Sequence, residues 1–168
     1  MNHSEYEKFV EEIAPKLISD VDLKNLGKSQ CGKSNMWVGV SGWEHQIDVS
    51  LHNDQDVFLV ECKYWDHNVP ATEFLTMWGR VMDIAKGPQA DGKTVRGALV
   101  TNIKNAMKDT TKGFQNGCIK LTAQYDQQMR LFVVESVEGL VRQTIIAFAT
   151  ARASGGSTGE AEGTVKPD

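Results

Sequence analysis

The chain has 168 residues, 40% of them hydrophobic and 24% charged, with a formal net charge of −4. This is the profile of one domain with apolar side chains enough for a core, and it excludes both a protein that coats nucleic acid by bulk positive charge and a membrane helix, which needs roughly 20 consecutive apolar residues. Polar residues 1–8 argue against a secretory signal, and three scattered cysteines (Cys31, Cys62, Cys118) argue against a disulfide framework or a zinc knuckle, so a cytoplasmic protein is expected.

Tyr6, Phe9, Val10, Ile13 and Leu17 recur at helical spacing and predict an amino-terminal helix. Ser4 and Glu7 fit a capping box at its start, and Pro15 is expected to break or kink it. The polar stretch 27–35 contains Cys31-Gly32-Lys33-Ser34. No strand precedes it and the glycine spacing is wrong for a Walker motif, so it reads as a loop whose Lys28 and Lys33 are candidate phosphate, and hence DNA, contacts.

Strand character marks 36–41, 46–51 and 57–63. Residues 72–85 place Phe74, Trp78, Val81, Met82 and Ala85 on one face of an amphipathic helix. A loop spans 87–93, a buried strand 95–101, and a short helix 110–116 ends at Gly117. Further strands are expected at 118–121 and 129–135, while 139–151 stays open between helix and strand. The Gly-, Ser- and Glu-rich segment 153–168 reads as a disordered tail behind a domain at 1–152.

The informative segment joins two strand-like runs, Gln46-Ile47-Asp48-Val49-Ser50-Leu51 and Val57-Phe58-Leu59-Val60-Glu61-Cys62-Lys63, across five polar residues. With the turn centred between Asp54 and Gln55, Ile47 faces Cys62, Val49 faces Val60 and Leu51 faces Phe58, an apolar face. The other face pairs Asp48 with Glu61, and Lys63 lies on that side. A one-residue slip would bury carboxylates, so the pattern selects this register. Carboxylates roughly 5 Å apart repel by around 3 kcal/mol at an effective dielectric near 20. A divalent cation reverses that sign, and hard oxygen ligands suit Mg²⁺. Lys63 can then position or help deprotonate a water and stabilise charge on a phosphate. The rival reading, a solvated sheet face with Lys63 neutralising Glu61, fits the apolar Phe58-Leu59-Val60 flank less well.

Ile47-Asp48-Val49 followed by Val60-Glu61-Cys62-Lys63 resembles the PD-(D/E)xK nuclease signature, in its Mrr-like restriction endonuclease branch. The loop 39–46, the helix at 72–85 and the strand Gly97-Ala98-Leu99-Val100-Thr101 follow the same order. The resemblance implies an α/β, restriction-endonuclease-like fold with a central mixed β-sheet flanked by α-helices. It implies Mg²⁺-dependent (or Mn²⁺-dependent) hydrolysis of DNA phosphodiester bonds, with Asp48 and Glu61 as metal ligands, the Cys62 backbone carbonyl completing the shell, and Lys63 as the catalytic amine. An acidic residue from the first helix joins the metal site in several relatives, and Glu7 matches that position. The capping box explains Glu7 equally well.

A junction-resolving or repair nuclease and a catalytically inert DNA-binding module are the alternatives on this fold. Cutting both strands of a duplex generally takes two sites, which leaves a homodimer open. His45 is either a phosphate-contacting neighbour of the site or an ordinary loop histidine. Trp43 and Trp65 are candidates to stack on bases, although for Trp65, which follows the Glu61-Cys62-Lys63 strand, packing against the neighbouring helix is the safer reading. The Cys62 thiol is expected to face the core rather than to act as a nucleophile.

Overall fold

The run Asp56–Lys63 is the strand around which the sheet is built, because its side chains are apolar toward both faces. Phe58, Val60 and Cys62 pack on one side, Val57 and Leu59 on the other. The structure, a computed structural model, describes residues 1–18, 24–25, 35–102, 113–125, 127–137 and 140–145. Lys28, Lys33, residues 110–112 of the segment predicted as helix 110–116 and the tail from 153 lie outside the described residues. The rest of that segment is not helical until its last residue: Gly113 is in a turn, Phe114 bridges to Val69, and the helix begins at Asn116.

In chain order the elements are α1 (His3–Leu17), β1 (Lys24–Asn25), β2 (Met36–Val38), β3 (Glu44–Gln46), β4 (Val49–His52), β5 (Asp56–Lys63), α2 (Ala71–Ala85), β6 (Thr94–Thr101), α3 (Asn116–Gln124), β7 (Met129–Val137) and β8 (Leu140–Ile145). Among the described residues, one sheet runs β1-β4-β5-β6-β7-β8, and β2 pairs with β3 apart from it. β4 and β5 are antiparallel, whereas β5, β6 and β7 run parallel. The β5–α2–β6 crossover supplies the length a parallel pair requires.

α1 lays Tyr6, Val10, Ala14 and Leu17 against Val49, Leu51, Phe58, Val60 and Cys62. α2 covers the opposite face with Phe74, Met77, Val81 and Ile84, beside Cys118 of α3. Burying a side chain of the larger kind contributes roughly 1.5–3 kcal/mol, so the two helices hold the sheet between them. The fold is α/β, a central mixed sheet flanked by helices.

The predicted β4–β5 register is observed: Val49 faces Val60, Ser50 faces Leu59 and Leu51 faces Phe58. It stops at Val49. Ile47 leaves the predicted face and packs in the α2-side core with Leu59, because the chain bends at Asp48 before β4 begins. The strand predicted at 36–41 ends at Val38, and the expected loop 39–46 is a hairpin: a turn at 39–43, with Gly42 at φ 80°, returns the chain as β3. A glycine is needed at that left-handed position.

α1 is capped by Asn2 and Glu5 rather than by Ser4 and Glu7. The Glu5 N–H donates to Asn2 Oδ1 at 3.0 Å, and the Asn2 N–H donates to Glu5 Oε2 at 2.8 Å. Pro15 sits in the last turn, and the helix ends two residues beyond it. The segment predicted as strand 118–121 belongs to α3, since Cys118 and Thr122, four residues apart, share its buried face. Gly117 is required there for close approach: a Cβ at this position would lie 2.9 Å from the Ala71 Cβ of α2.

Candidate active site

β4 is shorter than β5, and the site forms where β4 stops. Residues 61–63 of β5 continue past Val49 with no β4 partner, while β6 stays paired with them through Lys63↔Thr101. Asp48 fills the gap. Its Oδ2 accepts the Cys62 N–H at 2.7 Å.

The bend that aims Asp48 is held by Asn35, a buried residue at φ 51°. Its carbonyl accepts the Ile47 N–H at 3.1 Å, and its side-chain amide donates to the Asp48 carbonyl at 2.9 Å. Asparagine tolerates this left-handed backbone better than most residues. Nothing in local periodicity marked Asn35 for this role.

Glu61 and Lys63 point to the α2 side. Lys63 Nζ donates to Glu61 Oε1 at 2.9 Å and also lies 2.9 Å from Glu73 Oε2 on α2. Arg80, two helical turns further along α2, reaches Glu61 Oε2 at 3.0 Å. Glu61 and Lys63 are 12% and 15% exposed and Arg80 30%, so these pairs are only partly screened. Lys63 Nζ also sits 5.3 Å from the centre of the Trp65 ring. That ring packs against the core and stacks on His67. Glu73 and Arg80 were missed at the sequence level. Their spacing of seven on one helix flank was the available signal.

The electrostatics are asymmetric. Asp48 is pushed up to about 6, first by burial and then by the charge of Glu61, against the Cys62 N–H bond that lowers it. Burial alone would depress the Lys63 ammonium, but its hydrogen bonds and charge attraction to Glu61 and Glu73 hold it above its ordinary value. Glu7, freed of the capping role, pairs with His3 Nε2 at 3.6 Å, and its charge raises both Asp48 and Cys62. Asp48 thus feels the negative charges of Glu61 and Glu7 against the positive charge of Lys63.

Those residues fit a Mg²⁺ ion. Among the described residues no group of three or more His, Cys, Asp and Glu side chains forms a metal cluster. Mg²⁺, however, is commonly held through one or two carboxylates and keeps several waters. Asp48 and Glu61 supply the carboxylates. In a strand the N–H and C=O of one residue face the same neighbour. The Cys62 carbonyl thus faces the side where its N–H meets Asp48, while the Lys63 carbonyl faces β6 and accepts from Thr101 Oγ1 at 2.8 Å. The Cys62 thiol is buried on the α1 side and raised well above its ordinary value by that burial, unfit as a nucleophile.

His45 lies on β3, its Nε2 2.7 Å from Asp83 Oδ2 on α2. Ser41 donates to the same carboxylate from N at 3.0 Å and from Oγ at 2.6 Å. These bonds, that of His45 foremost, hold Asp83 down to about 2. His45 thus clamps the β2–β3 hairpin to α2, which leaves Trp43 70% exposed at the turn.

No protein-family model matches the chain, and no curated protein matches it. Among solved structures it is similar to AF1548, a protein of unknown function, with a TM-score of 0.51 and 17% identity over 76% of this chain. The chain spans 58% of that protein's length, and the likeness is one of fold. A further neighbour is an XisH family protein from Nostoc punctiforme, with a TM-score of 0.47 and 13% identity over 83% of this chain and 98% of that one. No helix among the described residues is long and apolar enough to cross a membrane.

Proposed function

We propose that the chain is a Mg²⁺-dependent DNA endonuclease, a restriction-type module of the PD-(D/E)xK, Mrr-like kind. The supporting observation is the meeting of Asp48, Glu61 and Lys63 where β4 ends, with the Cys62 N–H tying Asp48 to the Glu61-Cys62-Lys63 run. Asp48, Glu61 and the Cys62 carbonyl would hold the ion, and Glu7 adds negative charge nearby. Mg²⁺, when bound, supplies Lewis-acid stabilisation of the phosphorane-like transition state. Lys63 is kept protonated by Glu61 and Glu73, and so donates hydrogen bonds toward a water or a phosphate oxygen. Trp65 limits where the ammonium can move. Binding DNA with an acidic protein calls for local cations, and Lys63 and Arg80 stand at the cleavage point itself.

The test is cleavage of supercoiled and linear duplex DNA with Mg²⁺ or Mn²⁺. Wild-type protein should nick or cut in either metal, and none of this should survive chelation. Lys63→Ala should lower the rate by about 10²–10⁴-fold, the usual worth of a positioned acid–base group. Metal-dependent cleavage that persists in purified Asp48→Ala or Glu61→Ala protein would overturn the assignment.

A further inference from the structure

Both oxygens of Glu61 are already engaged by cations, Oε1 by Lys63 and Oε2 by Arg80. A dication held between Asp48 and Glu61 must share this carboxylate with two positive groups, and like charges so close repel strongly in a half-buried site. One of the two should yield, and the structure separates them. Lys63 has a second ion pair with Glu73 and lies over Trp65, so it is held whatever Glu61 does. Arg80 has Glu61 as its one ion-pair partner among the described residues and is twice as exposed as Lys63. Its stem rises from α2, a rigid helix that stays in place if the head group swings.

We infer that Arg80 is the counter-cation that Glu61 exchanges for a divalent metal ion, and that the released guanidinium then binds a backbone phosphate of the nucleic acid. This rests on the nuclease reading. It adds a coupling: the protein gains its phosphate-binding arginine only when metal arrives. A guanidinium offers the planar pair of donors that matches two phosphate oxygens, a geometry an ammonium lacks. Metal binding and duplex binding are then reciprocal, each easing the other.

Arg80→Gln keeps a hydrogen-bond donor near Glu61 but removes the charge. In titration calorimetry with Mn²⁺ it should bind the metal about tenfold more tightly than wild type, a difference that calorimetry resolves. Duplex affinity, followed by fluorescence anisotropy with Ca²⁺ in place of Mg²⁺, should fall in this variant. Its salt dependence should drop by about one phosphate contact. In chelator the variant and wild type should bind duplex equally, because Arg80 is then held by Glu61.

Arg80→Lys, which keeps the charge, serves as the second variant. It should retain wild-type Mn²⁺ affinity yet lose duplex affinity in Ca²⁺. Weaker or unchanged Mn²⁺ binding by Arg80→Gln, or equal loss of duplex affinity with and without metal, would overturn the exchange and leave Arg80 a brace for Glu61. A wild-type protein that neither binds Mn²⁺ nor cleaves overturns the nuclease reading itself, a separate result.

Discussion

The backbone N–H of Cys62 donates to Oδ2 of Asp48 at 2.7 Å, so the aspartate takes the place a further β4 residue would occupy beside β5. This bond sets the distance from Asp48 to the Glu61-Cys62-Lys63 run through main chain rather than through flexible side chains. It also holds a carboxylate in a half-buried position where its charge is disfavoured.

Asp48→Asn should therefore abolish cleavage and stabilise the fold at pH 8. An amide keeps an acceptor for the Cys62 N–H and removes the buried charge. The rise of Asp48 from 3.8 to about 6 corresponds to ~3 kcal/mol at most. The folded protein binds this proton more tightly than the unfolded chain. The favourable contribution is thus complete below about pH 4 and lost as pH rises through about 6. Melting curves at pH 8 should show the variant above wild type, with the gain absent at pH 4. A lower melting temperature at pH 8 would mean that Asp48 is well compensated.

Mg²⁺ should raise the melting temperature of the wild type more at pH 8 than at pH 5. At the higher pH the ion meets an ionised Asp48, and at the lower one it must first displace a proton. Thermal melts in millimolar Mg²⁺ against chelator test this. Equal shifts at both pH values would place binding elsewhere.

Cys62→Ala should retain metal-dependent cleavage. Only the main-chain carbonyl of this residue faces the site, while the thiol packs with Tyr6, Val49 and Val60 on the α1 side. The lost sulfur should cost about 1 kcal/mol of stability, read from urea unfolding. Loss of activity in a well-folded variant would return the thiol to consideration.

Asp83→Ala should loosen the β2–β3 hairpin, since Ser41 and His45 both bond to this carboxylate. Amide hydrogen exchange should accelerate at 39–46 and leave β5 and β6 unchanged. Acceleration spread across the sheet would mean that the hairpin is not the unit Asp83 holds.

Gly117→Val should lower stability by about 1–3 kcal/mol, the usual range for overpacking. Its first side-chain carbon would meet Ala71 across the α2–α3 contact. Urea midpoints for this variant and for an exposed control such as Gln124→Val distinguish steric conflict from a general dislike of valine in the helix.

Much of this was legible because β5 is apolar on both faces. Alternation of Val57, Phe58, Leu59 and Val60 against Val49 and Leu51 admits one register, which holds as far as Val49; beyond it Asp48 meets the Cys62 N–H instead of pairing with Glu61. Alternation cannot reveal a bend, so Ile47 was assigned to the wrong side. At the start of α1, Asn2-His3-Ser4-Glu5 and Ser4-Glu5-Tyr6-Glu7 are overlapping capping patterns, and only packing of the helix chooses between them. Arg80 and Glu73 escaped for a different reason. On the helical wheel they border an apolar stripe and look like any solvated flank, and their role arises from the β5–α2 contact, which joins residues far apart in the chain.

α2 carries Glu73, Arg80 and Asp83, and these three reach Lys63, Glu61 and the β2–β3 hairpin in turn. One rigid rod thus indexes the lysine, the glutamate and the protruding tryptophan turn together. A ligand or substitution that slid this rod along its axis would displace the partners of Lys63, of Glu61 and of the hairpin together.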